Sequence, residues 1–76
     1  MAASMAATPD GSTILLGTGQ GLYRTDDAGA SWRTLLPEMT FLAVAVSDDG
    51  RAVVAVSDRT GVYRSDDGGT TWSAPA

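Results

Sequence analysis

The chain repeats itself at a period of about 40 residues, and that repetition limits its possible folds more than any other feature. Asp10-Gly11 returns as Asp49-Gly50, a shift of 39. Gly21-Leu22-Tyr23-Arg24-Thr25-Asp26-Asp27-Ala28-Gly29-Ala30-Ser31-Trp32 returns as Gly61-Val62-Tyr63-Arg64-Ser65-Asp66-Asp67-Gly68-Gly69-Thr70-Thr71-Trp72, a shift of 40. One extra residue therefore lies between Gly50 and Gly61 of the second copy. The 76 residues hold almost two full periods. Periods of about 20–50 residues belong to solenoids, propellers and arrays, where each unit buries its apolar face only against a neighbouring unit.

The local pattern narrows the choice. Phe41-Leu42-Ala43-Val44-Ala45-Val46-Ser47 is a short apolar run that stops at Asp48-Asp49-Gly50. Ala52-Val53-Val54-Ala55-Val56-Ser57 follows and stops at Asp58-Arg59-Thr60-Gly61. Short runs rich in β-branched and aromatic residues, bounded by Asp, Gly and Thr, read as strands. No run reaches helical length with a 3.6-residue period. The expectation is four strands per repeat. In the first copy they fall near residues 3–8, 13–18, 22–26 and 31–36; in the second, near 41–47, 52–57, 62–65 and 71–73. Ile14-Leu15-Leu16 and Val53-Val54-Ala55-Val56 are apolar without alternation, the pattern of strands buried on both faces. A lone four-stranded sheet cannot cover both of its faces. Radial stacking of four-stranded sheets supplies a neighbour on each side; a two-sheet sandwich would leave one face of each sheet in water. The expected fold class is all-β, with two four-stranded antiparallel propeller blades per chain, residues 1–37 and 38–76, completed into a propeller by homo-oligomerisation.

Composition points the same way. Hydrophobic residues make up 43% and charged residues 18%, against about 25% charged in an average globular chain. A chain this short buries only about 60% of its unfolded surface on folding alone. Small domains compensate with disulfides, metals or association. There is no Cys and no His, so disulfides, thiolate metal sites and histidine bases are excluded. All five cations are Arg, against eight Asp and one Glu, for a net charge of −4. An acidic chain without a basic stripe is not built for nucleic acid. The opening MAASMAAT lacks the charged and apolar regions of a signal peptide, and no stretch is long and apolar enough to span a membrane. No cofactor is expected, and association with further copies remains.

Thr25-x-Asp27-x-Gly29-x-Ser31-Trp32 and Ser65-x-Asp67-x-Gly69-x-Thr71-Trp72 resemble the Asp-box, S/T-x-D-x-G-x-S/T-W, of bacterial-neuraminidase-type repeats. The preceding Gly-[Leu/Val]-Tyr-Arg resembles the third strand of such a repeat. The likeness, with its flanking strands, covers nearly the whole chain. It implies a propeller fold, since known members include sialidases, photosystem assembly factors, sortilin-type receptors and xyloglucan hydrolases. It also implies that the box lies between the third and fourth strands. Physically, Asp27 and Asp67 are placed to accept backbone N–H groups within a turn. Gly29 and Gly69 permit positive φ. Trp32 and Trp72 are expected to bury a large ring between sheets. The alternative for Asp26, Asp27, Asp66 and Asp67 is a calcium site, which needs about 6–8 oxygens, and their spacing matches no known calcium loop.

In an up-and-down sheet both boxes share a rim with Pro9-Asp10-Gly11 and Asp48-Asp49-Gly50. The opposite rim carries Gly19-Gln20-Gly21, Asp58-Arg59-Thr60 and the linker Pro37-Glu38-Met39-Thr40. By analogy with other propellers, Gln20, Asp58 and Arg59 are the candidate ligand contacts. Gly17-x-Gly19-x-Gly21 lies between strands rather than opening a helix, so it is a tight turn and not a phosphate loop. Tyr23-Arg24 and Tyr63-Arg64 read as a packed Tyr with Arg on the other face, near an acidic box.

Sialidases of this superfamily use an arginine triad, a Tyr nucleophile paired with Glu, and an acid/base Asp. No such active-site motif is recognisable here, and the one Glu, Glu38, lies in the linker. Glycoside hydrolysis needs two carboxyl groups across a cleft. The expectation is therefore a non-enzymatic unit. Propellers commonly hold about four to eight blades, so three or four chains would close head to tail into six or eight. The alternative is a small lectin-like protein binding a glycan or peptide at the channel mouth.

Overall fold

A computed structural model describes residues 4–37, 39–59 and 61–73. Seven strands follow one another in chain order: β1 (Ser4–Ala7), β2 (Ile14–Thr18), β3 (Gly21–Thr25), β4 (Arg33–Pro37), β5 (Phe41–Val46), β6 (Val53–Ser57) and β7 (Gly61–Ser65). The described residues contain no helix. The strands form two antiparallel meanders, a four-stranded sheet ordered β1-β2-β3-β4 and a three-stranded sheet ordered β5-β6-β7. The edges agree with the sequence expectation to within one or two residues for all seven. The fourth strand of the second repeat is reduced to a single bridge, Arg64 to Ser73, among the described residues. Ala3, Glu38 and Thr60, which the sequence assigned to a strand, the linker and a rim turn, lie outside the described residues.

Short polar turns fix each register. In the first repeat Asp10 accepts the Ser12 N–H at 3.0 Å and the Thr8 hydroxyl at 2.9 Å. Asp49 does the same for the Arg51 N–H at 3.0 Å and the Ser47 hydroxyl at 2.6 Å. These turns align β1 with β2 through Ala7 and Ile14, and β5 with β6 through Val46 and Val53.

Alternation along each strand then gives every sheet two faces. One face of the first sheet carries Leu15, Gly17, Leu22 and Arg24; its other face carries Met5, Ile14, Leu16 and Tyr23. In the second sheet the corresponding faces are Val54, Val56, Val62 and Arg64, and Val44, Val53, Ala55 and Tyr63. The Leu15 face of the first sheet packs on the Val53 face of the second. The core lies in this seam: Leu15, Leu22, Phe41, Val53 and Ala55, flanked by Leu35, Leu36, Val44, Tyr63 and Trp72. Phe41 and Tyr63 meet edge to face at 6.3 Å. Strand β5 crosses β1 and β2 so closely that a Cβ on Gly17 would lie 3.0 Å from the Phe41 Cβ and 3.1 Å from Val44 Cγ1.

The unalternating strands were expected to be buried on both faces. In the single chain they are covered on one. Leu15, Val53 and Ala55 are fully buried, while Ile14, Leu16, Val54 and Val56 are half-buried. Met5, Leu42 and Val62 are exposed at 68%, 54% and 39%. Two sheets make one seam and leave two outer apolar faces.

Candidate functional site

The two turns that follow β3 and β7 are built alike. In the first, Thr25 is 1% exposed. Its hydroxyl accepts the Gly29 N–H at 3.0 Å and donates to Asp27 at 2.6 Å. The Asp27 carboxylate also accepts the Ser31 N–H at 2.9 Å and the Ser31 hydroxyl at 2.6 Å. The Trp32 indole N–H donates to the Gly29 carbonyl at 3.2 Å. In the second, the Ser65 hydroxyl accepts the Gly69 N–H at 2.8 Å and donates to Asp67 at 2.7 Å. Asp67 accepts the Thr71 N–H at 2.9 Å and the Thr71 hydroxyl, and Trp72 donates to Gly69 at 2.9 Å. Gly29 and Gly69 take φ of 99° and 100°, a backbone that L-residues avoid.

These bonds favour the ionised carboxylates. Asp27 is held at about 2 by the Ser31 hydroxyl first, then the Thr25 hydroxyl and the Ser31 N–H. The Thr71 hydroxyl, the Thr71 N–H and the Ser65 hydroxyl hold Asp67 well below the ordinary carboxylate range. All ten residues singled out in these turns thus close two local bond networks. No group of three or more acidic side chains is arranged to hold a metal ion among the described residues.

One of the two tryptophans differs from expectation. Trp32 is 43% exposed rather than buried between sheets. Trp72 is half-buried and packs on the core. The reason is position: the second turn sits in the seam and the first faces outward.

On the opposite rim Gln20, Asp58 and Arg59 are all exposed. The Gln20 N–H bonds the Thr18 hydroxyl at 3.0 Å and the Arg59 N–H bonds Ser57 at 3.3 Å. Their side chains are brought to one end of the molecule without a hydrogen bond or ion pair joining them among the described residues. A shallow, open cavity of about 570 Å³ lies instead on the turn-bearing rim, lined by Ser47, Asp48, Asp49, Arg51, Ala52 and Asp66.

The feature that sequence reading missed is where Arg24 goes. Its side chain is 9% exposed and pairs with Asp26 at 2.9 Å. It then crosses the seam, donating from Nη1 to the carbonyls of Gly50 at 2.7 Å and Gly68 at 3.1 Å. The repeated Tyr-Arg dipeptide two residues before Asp-Asp was the available signal. Nothing local in it announces the two distant carbonyls.

Equivalent residues in the two repeats therefore stand in opposite environments. Leu22 is fully buried and Val62 is 39% exposed. Arg24 is buried and Arg64 is exposed; Gly50 and Gly68 are buried, Gly11 is half-buried and Ala28 is exposed. A Cβ on Gly69 would meet Leu35 Cδ1 at 2.6 Å, whereas among the described residues one on Gly29 would meet Trp32 alone, at 3.9 Å. Each repeat supplies the half of the seam that the other leaves open.

Compared with known proteins, the chain matches no family model and no curated protein.

Proposed function

We propose that the chain is a non-enzymatic two-blade unit that assembles head to tail with further copies of itself into a closed β-propeller of six or eight blades. The observation that carries this reading is the complementary burial of equivalent residues, with Leu22 at 0% and Val62 at 39%. The outer face of the second sheet, Val54, Val56, Val62 and Arg64, corresponds to the seam face of the first. The outer face of the first sheet, Met5, Ile14, Leu16 and Tyr23, corresponds to the seam face of the second. Joining these two faces between copies repeats a contact that the chain already makes within itself. Such a contact is heterologous, so it forms a ring when its rotation closes. Closure covers apolar faces that otherwise favour aggregation. The resemblance of the two turns to Asp-box repeats, whose known members are propellers, supports the same architecture.

Electron microscopy of the purified protein tests closure. The reading predicts discs of uniform size with a central channel. Open filaments would contradict the closed ring, and compact single-chain particles would contradict the head-to-tail contact itself.

A further inference from the structure

We propose that Arg64 is the latch between copies, seating its guanidinium on the carbonyl oxygens of Gly11 and Ala28 of a second copy. The inference rests on the head-to-tail reading and adds to it a specific polar contact. Its template is the seam inside the chain, where Arg24 is braced by Asp26 and donates to Gly50 at 2.7 Å and Gly68 at 3.1 Å.

Arg64 repeats the donor side. It pairs with Val54 across the sheet as Arg24 pairs with Leu15. Its Nε lies 3.4 Å from Asp66 Oδ1, as Arg24 Nε lies 3.0 Å from Asp26 Oδ1. Yet its side chain is 63% exposed. No bond from its Nη1 is found among the described residues. A guanidinium held by a carboxylate on its near side presents its remaining N–H groups in a fixed fork.

Gly11 and Ala28 repeat the acceptor side. Gly11 and Gly50 share a φ of 76°, and Ala28, at 60°, approaches the 76° of Gly68. The same backbone bonds hold both pairs: Gly11 N–H to Thr8 at 2.9 Å and Gly50 N–H to Ser47 at 2.9 Å, Ala28 N–H to Ser12 at 3.0 Å and Gly68 N–H to Arg51 at 2.8 Å. The second pair is filled, since Cβ atoms on Gly50 and Gly68 would lie 3.2 Å and 3.3 Å from the Arg24 guanidinium. The first pair is open: among the described residues nothing lies within 4 Å of a Cβ on Gly11, and Ala28 is exposed. The Ala28 methyl crowds the incoming Arg64 by the margin that the Gly68 position shows, so this seat is slightly looser than its template.

The test compares wild type with Arg64→Met and Ala28→Gly by sedimentation across a dilution series. Arg64→Met keeps the apolar stem and removes the guanidinium. It is expected to weaken association on the order of tenfold to a hundredfold, the effect of losing charge-assisted hydrogen bonds. The circular dichroism of the dilute chain should stay unchanged, because Arg64 is exposed there. Ala28→Gly is expected to tighten association. A second measurement is independent of affinity. The chain has no Cys, so Arg64→Cys and Ser12→Cys chains can be mixed and treated with a short bifunctional thiol linker. Cross-links between the two variants are expected. If Arg64→Met associates as tightly as wild type while the mixed variants cross-link, the latch is wrong and the head-to-tail reading stands; if the mixed variants fail to cross-link, that joining of faces is wrong as well. If wild type does not associate at all, both fall.

Discussion

Arg24 and Gly50 meet across the seam, the guanidinium Nη1 donating to the glycine carbonyl at 2.7 Å. The two residues are 26 apart in sequence and belong to different repeats. The bond thus ties strand β3 of one repeat to the first turn of the next, beside an apolar core of five fully buried side chains. A buried carbonyl left without a donor is costly, so this one cation supports two turns at once.

Arg24→Ala is expected to destabilise the chain by roughly 2–4 kcal/mol, combining lost charged hydrogen bonds with two orphaned carbonyls. Arg33→Ala is the contrast. Arg33 reaches Asp26 only at 3.6 Å, with its side chain 58% exposed, and its loss should change stability by less than about 0.5 kcal/mol. Urea denaturation of the two variants measures the difference.

Ala28→Gly should stabilise the fold. Ala28 is the one non-glycine residue with positive φ among the described residues, at 60°. The left-handed conformation costs an L-residue roughly 1–2 kcal/mol. Part of that gain is offset by the greater freedom of glycine in the unfolded chain, about 0.4–1 kcal/mol. Calorimetry should show a melting temperature higher by a few degrees. The reverse change at the equivalent position, Gly68→Ala, should lower it, since the added methyl would also lie 3.3 Å from Arg24 Nη1.

Gly69→Ala and Gly29→Ala should separate backbone strain from crowding. Both glycines hold φ near 100°, so both substitutions are strained. In the seam the added Cβ of Gly69→Ala would lie 2.6 Å from Leu35 Cδ1, and overpacking adds about 1–3 kcal/mol. In dilute single chains Gly69→Ala is expected to melt lower than Gly29→Ala. Equal melting would show that Leu35 gives way freely.

Stability should fall on the acid side. Asp27 is held at about 2, and Asp10, Asp49 and Asp67 are lowered in the same direction. In the unfolded chain these carboxyls return to about 3.9. Between those values the unfolded state binds more protons, so stability rises with pH through this window. It is fully present above the unfolded value and is lost as pH falls through the folded ones. Tryptophan fluorescence against pH should show acid unfolding below about pH 4, and Asp27→Asn should flatten that limb while lowering stability at neutral pH.

The repeat made the strands and turns legible. Ser/Thr, Asp and Gly at fixed spacing dictate their bonds within a few residues, so the networks around Asp27 and Asp67 follow from local chemistry. The pairing of sheets does not. Trp32 and Trp72 occupy the same place in the repeat, yet one is exposed and the other is packed, because only the second turn has a sheet against it. Arg24 and Arg64 differ for the same reason. Sequence gives both members of each pair the same capacity, and order in the chain decides which one is covered.

The most direct measurement is the mass of the folded protein in solution by light scattering. The account predicts one species of three or four chains, each of 7.8 kDa, with no open series of larger assemblies. A stable, folded particle with the mass of a single chain at all concentrations would contradict it.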